Sequence, residues 1–209
     1  MTVTPAPARR GRPRRKPEDQ DARKALIQAG LAQLTERGYA SVALEEITAA
    51  AGVTKGSFYH YFPTKAAFGA ALIDAYDAYF EDKLRRAFNR TDITPLSRLT
   101  AFTEEAEAGM ARFDFRRGCL IGNLGQEMGS LPEEFRSRLI AVFERWQNLT
   151  VSCLRDAQMA GEIGADHDPE ALAELFWTGW EGAVLRTKLQ RNPEPLRRFT
   201  DGFLRLARS

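Results

Sequence analysis

Residues 41–65 read SVALEEITAAAGVTKGSFYHYFPTK, and this stretch decides the fold of the N-terminal part of the chain. Four apolar residues recur at helical spacing and predict a short helix with one apolar face: Val42, Leu44, Ile47 and Ala51. Ser41 is a candidate N-cap for this helix, and Gly52 ends it in a tight turn. Thr54 then caps a second helix over residues 55–61. Two short helices joined by a glycine-containing turn are typical of a helix-turn-helix.

The second helix of this pair has the residues expected of a DNA-reading element. In a helix-turn-helix, the first residues of the second helix contact base edges, while caps and flanking residues hold phosphates. Gly56 allows the backbone to approach a duplex closely, and Tyr59 and His60 point away from the apolar face. An aromatic-rich helical hairpin buried in a core is the alternative. We expect the following residues to contact double-stranded DNA: Ser41, Thr54, Lys55, Gly56, Ser57, Tyr59, His60 and Lys65.

Five short motifs carry a family resemblance over about residues 20–68: Gly38-Tyr39, Ala51-Gly52-Val53, Lys55-Gly56, Tyr59-His60-Tyr61-Phe62 and Lys65-Ala66-Ala67-Phe68. Together they resemble the DNA-binding domain of TetR-family transcriptional repressors. The resemblance implies an all-α fold with a helix-turn-helix at about 43–62 inside a three-helix domain at 20–68. It also implies a ligand-binding and dimerisation domain at 69–209, whose last two helices pair with those of a second copy in a homodimer.

The charge is placed unevenly along the chain. The net charge of the 209 residues is +2, yet residues 1–16 hold six cations and no acid, so the remainder sums to −4. The Arg-Gly-Arg-Pro core of the predicted disordered arm, residues 1–19, resembles an AT-hook. The narrow minor groove attracts such arginines. We therefore expect Arg10, Arg12 and Arg14 to contact DNA, and a solubilising basic tail is the alternative.

Composition argues against several other classes of protein. A hydrophobic content of 44% with 28% charged residues is ordinary for a globular protein. No apolar run approaches the roughly 20 residues that a membrane span needs. Two cysteines make no disulfide framework, so we expect a cytoplasmic protein. The sequence shows no Ser/His/Asp set, metal-ligand spacing or phosphate loop, which argues against an enzyme and predicts neither cofactor nor metal.

The remaining chain reads as helices, with no strand pattern. The predicted spans are 22–37, 64–88, 95–112, 119–129, 132–162, 169–190 and 194–207. In TetR-like proteins the helix at 64–88 transmits the ligand signal to the DNA-binding domain, and its length here is suited to that role. The run Asp166-His167-Asp168 is better explained as a capping turn before Pro169 than as a metal cluster, because adjacent loop residues cannot all converge on one ion.

Two stretches of the C-terminal part are candidates for a ligand pocket. In the segment 118–127, three glycines surround Cys119, Asn123 and Gln126, and glycine inside a helix usually has a packing or ligand reason. Tight helix packing around a small buried cysteine is the alternative. The other candidates are Trp146, Trp177, Trp180, Glu181 and Arg186, although Trp177 and Trp180 are also typical of a core or an interface.

A narrower resemblance covers nearly the whole chain. Its motifs are Gly118-Cys119-Leu120, Glu127-Met128, Ala165-Asp166-His167-Asp168-Pro169 and Gly179-Trp180-Glu181-Gly182. They resemble AcuR-type repressors, which implies acrylate or a similar small acid as the inducer. The Gly-Cys-Leu element is also similar to repressors of the NemR type, which implies modification of Cys119 by an electrophile or oxidant. The residues leave both chemistries open, together with the sign of regulation, and a non-sensing architectural DNA-binding protein is a further alternative.

Overall fold

The computed structural model describes residues 17–209, so Arg10, Arg12 and Arg14 of the predicted arm lie outside the described residues. In the described part all regular structure is helical, which confirms the all-α prediction. The α-helices are α1 Pro17–Arg37, α2 Leu44–Ala51, α3 Lys55–Tyr61, α4 Lys65–Phe88, α5 Pro95–Ala111, α6 Leu120–Gln126, α7 Glu134–Met159, α8 Pro169–Gln190 and α9 Glu194–Arg208.

Helices α1 to α3 form a small unit around buried apolar side chains. Leu26 of α1, Ile47 of α2 and Phe58 of α3 are all fully buried. Phe58 packs edge-on against Phe68 of α4, with ring centroids 5.2 Å apart. Gly52 closes α2 at φ 65°, a left-handed conformation that glycine adopts without a steric penalty. The helix-turn-helix therefore has the geometry that its sequence predicts.

Several helix ends differ from the sequence prediction. Helix α1 begins at Pro17 and not at residue 22, so residues 17–19 of the predicted disordered arm are helical; proline is favoured in the first turn of a helix. Ser41 is exposed and does not cap α2; Ala43 takes the N-cap position, and the Glu46 carboxylate accepts its N–H at 3.5 Å. The capping comes from the third residue of the helix rather than from the cap residue itself. Helix α7 ends at Met159, earlier than predicted, because Gly161 turns the chain at φ 72°.

Helix α4 joins the two halves of the molecule. Its 24 residues extend about 36 Å at the usual helical rise. Phe68 and Leu72 are buried at its N-terminal end, whereas Phe80 and Leu84 are buried further along. Gly69 makes a close approach, since a Cβ there would lie 2.6 Å from the Phe135 ring of α7. Helix α4 is therefore packed against the unit formed by α1 to α3 at one end and against the C-terminal helices at the other.

The C-terminal helices enclose an aromatic core. Phe80 of α4 lies 4.3 Å from the Trp146 ring of α7, and Trp146 lies 5.1 Å from Trp177 of α8. Phe102 of α5 lies 6.0 Å from Trp177. Aromatic pairs at these separations add packing energy beyond the area they bury. Trp146 and Trp177 are therefore core residues.

A buried carboxylate ties α4 to α7. Asp77 is 8% exposed and accepts from the indole nitrogen of Trp146 at 3.0 Å and from Nε of Arg145 at 3.0 Å. One turn away, Asp74 pairs with Arg138 at 2.8 Å, but both of these side chains are exposed. The same pair of helices thus carries two contacts to half-exposed arginines, one from a buried acid and one from an exposed acid.

We predict that Asp77→Ala lowers the free energy of unfolding by about 1–3 kcal/mol, because the Trp146 N–H loses its acceptor inside the core. The matched variant Asp74→Ala removes a solvated pair and is expected to cost at most about 1 kcal/mol. Urea denaturation at one fixed protein concentration measures both. Equal losses in the two variants would contradict a structural role for the buried acceptor.

Candidate DNA-reading surface and effector cavity

Helix α3 has one buried side and one open side. Phe58 faces the core, whereas Tyr59 is 48% exposed. Thr54 is the N-cap, and its hydroxyl accepts from the Ser57 N–H at 3.1 Å. The open side carries most of the residues expected to contact DNA: Thr54, Lys55, Gly56, Ser57, Tyr59 and His60. The first turn of α3 thus exposes small, cationic and aromatic groups together.

Both lysines of the predicted surface already have partners in the free protein. Lys55 Nζ lies 2.6 Å from the Glu45 carboxylate of α2, with both side chains more than half exposed. Lys65 donates to the backbone oxygens of Tyr39 at 3.0 Å and Val42 at 2.7 Å. Lys65 therefore stabilises the α1–α2 connection, and one of its three N–H donors remains for another acceptor.

The unit formed by α1 to α3 is called the reading unit below. A cavity of about 370 Å³ lies where this unit meets the other helices. Gln28, Leu31 and Thr35 of α1 form one part of its wall. The other part comes from α4, α5, α8 and the segment between α5 and α6: Tyr76, Tyr79, Phe80, Lys83, Ala106, Gly109, Met110, Arg112, Phe113, Arg117, Gly118, Cys119, Trp180 and Val184. This size and largely apolar lining are typical of small-molecule sites.

The charged side chains in the described wall of the cavity are all cations. Three cations lie in the wall, Lys83, Arg112 and Arg117, and the described residues that line it include no carboxylate. Lys83 is 6% exposed and has Glu105 as an ion-pair partner at 3.3 Å. Burying a charge is costly unless it is paired, so this lysine is an unusual wall residue. The cavity is suited to an anion.

Of the predicted pocket residues, the wall includes only Cys119 and Trp180. Trp177 donates its indole N–H to Thr150 inside the core at 3.0 Å, and Trp146 does the same to Asp77. Gln126 and Arg186 are exposed on the surface. Asn123 donates to the backbone oxygens of α1 instead of facing the cavity.

Sequence reasoning missed Tyr76, Lys83 and Arg117. A signal for Lys83 was present, because it continues the apolar positions 76 and 80 of α4 at helical spacing. A lysine on an apolar face either extends to solvent or pairs with a buried partner. No comparable signal marked Arg117, since its place in the wall depends on how the loop before α6 crosses α1.

Glu181 of α8 packs against α6, next to Cys119. A Cβ at Gly122 would collide with its carboxylate, and its Oε1 is buried without a hydrogen-bond partner. Burial raises the pKa of Glu181 to about 7, partly offset by a hydrogen bond with Cys119. Burial and then the nearby Glu181 raise the pKa of the Cys119 thiol well above its usual range. Cys119 is therefore held as a neutral thiol at neutral pH.

The end of α1 is capped by groups from the C-terminal helices. The backbone N–H of Gly118 donates to Thr35 O at 3.0 Å, and the Asn123 amide donates to the same oxygen at 3.0 Å. Lys188 Nζ of α8 lies 3.3 Å from Thr35 O and 3.2 Å from Glu36 O. The last carbonyls of a helix have no partner within the helix, so donors from elsewhere satisfy them here.

A second contact of the same kind joins α6 to the loop after α1. The Glu127 carboxylate accepts from the backbone N–H of Tyr39 at 3.1 Å and of Ala40 at 2.8 Å. Gly38 makes room for it, at φ 85°. The cavity and the helix-turn-helix are thus linked through the end of α1, immediately beside Gly118 and Cys119.

A reading helix with an open first turn, connected to a helical body with a ligand-sized cavity, defines a helix-turn-helix transcriptional regulator. The chain belongs to the TetR family of such regulators. The model described as "Bacterial regulatory proteins, tetR family" matches residues 26–72, and "Tetracyclin repressor-like, C-terminal domain" matches residues 95–203. The protein is thus a DNA-binding transcriptional repressor of the TetR type.

Individual relatives agree with this assignment. "Transcriptional regulator AcuR" of Cereibacter sphaeroides is 59% identical over 199 residues, covering 95% of this chain and 91% of AcuR. The crystal structure of "regulatory protein TetR" from Rhodobacter sphaeroides is 60% identical, with a TM-score of 0.87 over 88% of this chain and 97% of that one. Reduced E. coli NemR is 27% identical, with a TM-score of 0.77 over 87% and 95%. The resemblances to AcuR-type and NemR-type proteins are confirmed.

Membrane-spanning helices and clusters of metal-binding side chains are both absent from residues 17–209. No helix there is long and apolar enough to cross a membrane. No group of three or more His, Cys, Asp and Glu residues is arranged in that range to hold a metal ion. Asp168 instead caps α8 and accepts from the Glu170 N–H at 2.9 Å, in agreement with the capping turn predicted before Pro169.

We predict that Glu181→Gln changes how stability depends on pH. Since the folded pKa of about 7 lies above the ordinary 4.5, the wild type is most stable relative to the variant below pH 4.5. The free energy of unfolding of the wild type, relative to that of the variant, then falls by on the order of 2–3 kcal/mol as the pH rises to about 7. Urea denaturation of both proteins at several pH values measures the difference. Parallel curves would contradict a buried, protonated Glu181.

Proposed function

We propose that this repressor is a homodimer that binds a near-palindromic operator and leaves it when a small inducer, acrylate or a similar small acid, enters the cavity. The observation that carries the proposal is the shared wall, to which both α1 and the C-terminal helices contribute. A ligand there contacts both parts of the molecule and can favour one arrangement of them. The choice of acrylate rests on the likeness to AcuR-type repressors.

The proposed release is a two-state coupling. Inducer in the cavity moves the end of α1 and tilts α4, and the two reading heads of the dimer spread beyond the spacing of the operator half-sites. Two features support this path: the cap on Thr35 next to the cavity, and the continuous packing of α4 from Phe68 to Phe88. By linkage, inducer and operator each weaken the binding of the other by the same factor.

Helices α8 and α9 supply the proposed dimer surface. Their exposed leucines support it: Leu175, Leu185, Leu189 and Leu206. Gly182 has open space where a Cβ would lie, so a second copy can approach closely there. Gly179, three residues earlier on α8, is covered by Phe199 of α9 within the subunit. A two-fold axis through this surface gives two reading heads and hence a near-palindromic operator.

The proposed DNA contacts are the exposed groups of α3 with its cap, together with Ser41 and Lys65. Their support is the exposure of the first turn and the smallness of Gly56, where a Cβ would have its nearest neighbour at 4.0 Å. Arg10, Arg12 and Arg14 stay a prediction for the minor groove. The proposed division into an arm at 1–19, a DNA-binding domain at 20–68 and a ligand-binding domain at 69–209 also rests on sequence.

We predict that Tyr59→Ala and Lys55→Ala each weaken operator binding about 5- to 150-fold, because a base or phosphate contact is worth about 1–3 kcal/mol. Lys55→Ala is also expected to reduce the salt dependence of binding. Arg136→Ala is the matched control, since it removes an exposed cation that is likewise paired with an acid, Glu133, but lies on α7. Fluorescence anisotropy at several salt concentrations measures all three. Unchanged affinity in both α3 variants would refute the assigned surface.

Covalent sensing through Cys119 is the other candidate mechanism. The thiolate is the reactive form of cysteine, and burial together with Glu181 raises the Cys119 pKa and disfavours that form. Arg117, two residues before Cys119, stacks on Phe113 at 3.9 Å and faces Glu36. The surroundings of Cys119 therefore favour reversible binding over modification.

We predict that acrylate releases the protein from DNA in both the wild type and Cys119→Ser. The experiment is a gel shift with DNA from upstream of the protein's own coding sequence. Each protein is titrated with acrylate and, separately, with a thiol-reactive electrophile. Release of the wild type alone would make Cys119 the sensor. Failure of the protein to bind any DNA upstream would overturn the choice of operator.

A further inference from the structure

We infer that the cavity recognises the carboxylate of its ligand through Lys83 and Arg117, and that the ligand replaces two carboxylates of the protein, Glu105 and Glu36, at these cations. The inference rests on the proposed function and specifies what the inducer site reads. The ligand class is a monocarboxylate with a short apolar chain. The double bond of acrylate is then incidental to recognition.

Lys83 is a buried cation whose only ion-pair partner in the described residues is distant and exposed. Its side chain is 7% exposed, while that of its partner Glu105 is 56% exposed, and the Nζ–Oε1 separation of 3.3 Å is long for an ion pair. The lysine thus faces the cavity with a loose, solvated counter-ion on α5. An incoming carboxylate can take the place of Glu105, because the buried lysine keeps a negatively charged partner while the half-exposed Glu105 returns to water.

Arg117 is a second cation of the wall, and one of its donors has no acceptor. Its guanidinium stacks on the Phe113 ring, and its Nε is buried without a hydrogen-bond acceptor. Glu36 of α1 lies 3.8 Å from that Nε, outside hydrogen-bond range. A planar guanidinium can bind a carboxylate through two parallel N–H donors. Arg117 therefore brings a cation to the wall whose Nε has no acceptor within hydrogen-bond range, and the guanidinium has to turn for this donor to reach an anion in the cavity.

The rest of the wall holds one further cation, Arg112, which is exposed to solvent, whereas Lys83 and Arg117 are not. The described lining contains no carboxylate, and most of its other large side chains are apolar or aromatic, among them Phe80, Met110 and Trp180. Apolar walls discriminate weakly between ligands of similar size, because each methylene changes the binding constant only about 10- to 200-fold. Charge is the feature that this cavity can select.

Displacing Glu36 gives the recognition step a consequence for the reading head. Glu36 belongs to the last turn of α1, and the next residue after Arg117, Gly118, caps the Thr35 carbonyl of that turn. When Arg117 turns from Glu36 to a ligand, α1 loses an attraction at the place where the C-terminal helices hold it. Carboxylate binding and the position of α1 are thereby coupled.

The experiment compares ligands that match in shape and differ in charge. Full-length wild type is titrated with acrylate, propionate and acrylamide, with binding measured by calorimetry and DNA release by gel shift. We expect acrylate and propionate to bind within about tenfold of each other and to release DNA. Acrylamide, which is neutral, nearly isosteric with acrylate and thiol-reactive, is expected to do neither. Equal binding of acrylamide would overturn the inference.

The variants test the named residues. Lys83→Gln and Arg117→Gln are expected to weaken acrylate binding roughly 10- to 100-fold. Glu105→Gln is expected to strengthen it, because it removes the competing carboxylate. Arg116→Gln is the matched control, since it removes the other cation that faces Glu36, at 3.9 Å, from a side chain that is 53% exposed and outside the cavity wall. Operator binding without ligand confirms that each variant is folded.

The outcomes separate this inference from the proposed function. If acrylate releases the wild type and both Lys83→Gln and Arg117→Gln with equal affinity, the carboxylate is read elsewhere and the inference is wrong, while the inducible repressor stands. If no acid releases the wild type from DNA that it binds, the acid-responsive function fails and the inference fails with it. Loss of acrylate binding in the two variants, with Arg116→Gln unaffected, supports both.

Discussion

The hydrogen bonds that cap the end of α1 are the interaction on which the rest of the structure depends. A helix ends with carbonyl groups that have no partner of their own. In this protein the missing donors for Thr35 and Glu36 are Gly118, Asn123 and Lys188, which belong to the C-terminal part of the chain. The reading unit is therefore completed by the domain that contains the cavity, and neither part is fully satisfied alone.

This arrangement explains the composition of the segment around α6. Its glycines and polar side chains resemble a pocket lining in sequence, but most of them serve the contact with α1. Asn123 donates to α1, Glu127 accepts from the loop after it, and Gly122 leaves room for Glu181. Buried polar groups are normally hydrogen-bonded. The carbonyl groups at the end of α1 need donors, and this explains why polar residues lie in the segment around α6 that packs against it.

The sequence predicted the elements with a local cause. The helix-turn-helix followed from apolar spacing, from Gly52 in a left-handed turn and from Thr54 as a cap, and all three depend on residues close together in the chain. The ends of α2 and α7 were less well predicted. Glu46 caps α2 from inside the helix, and Gly161 ends α7 before the apolar pattern ends.

By itself, then, the sequence determined the all-α fold, the reading helix and the family to which the chain belongs, because helical periodicity and capping act over a few residues. Only the tertiary structure decided the cavity. Lys83 and Arg117 are 34 positions apart and meet there because α4, α5 and the loop before α6 pack around α1. Trp146 and Trp177 are core residues for the same reason, since a side chain's partners across helices depend on packing rather than on its neighbours in sequence.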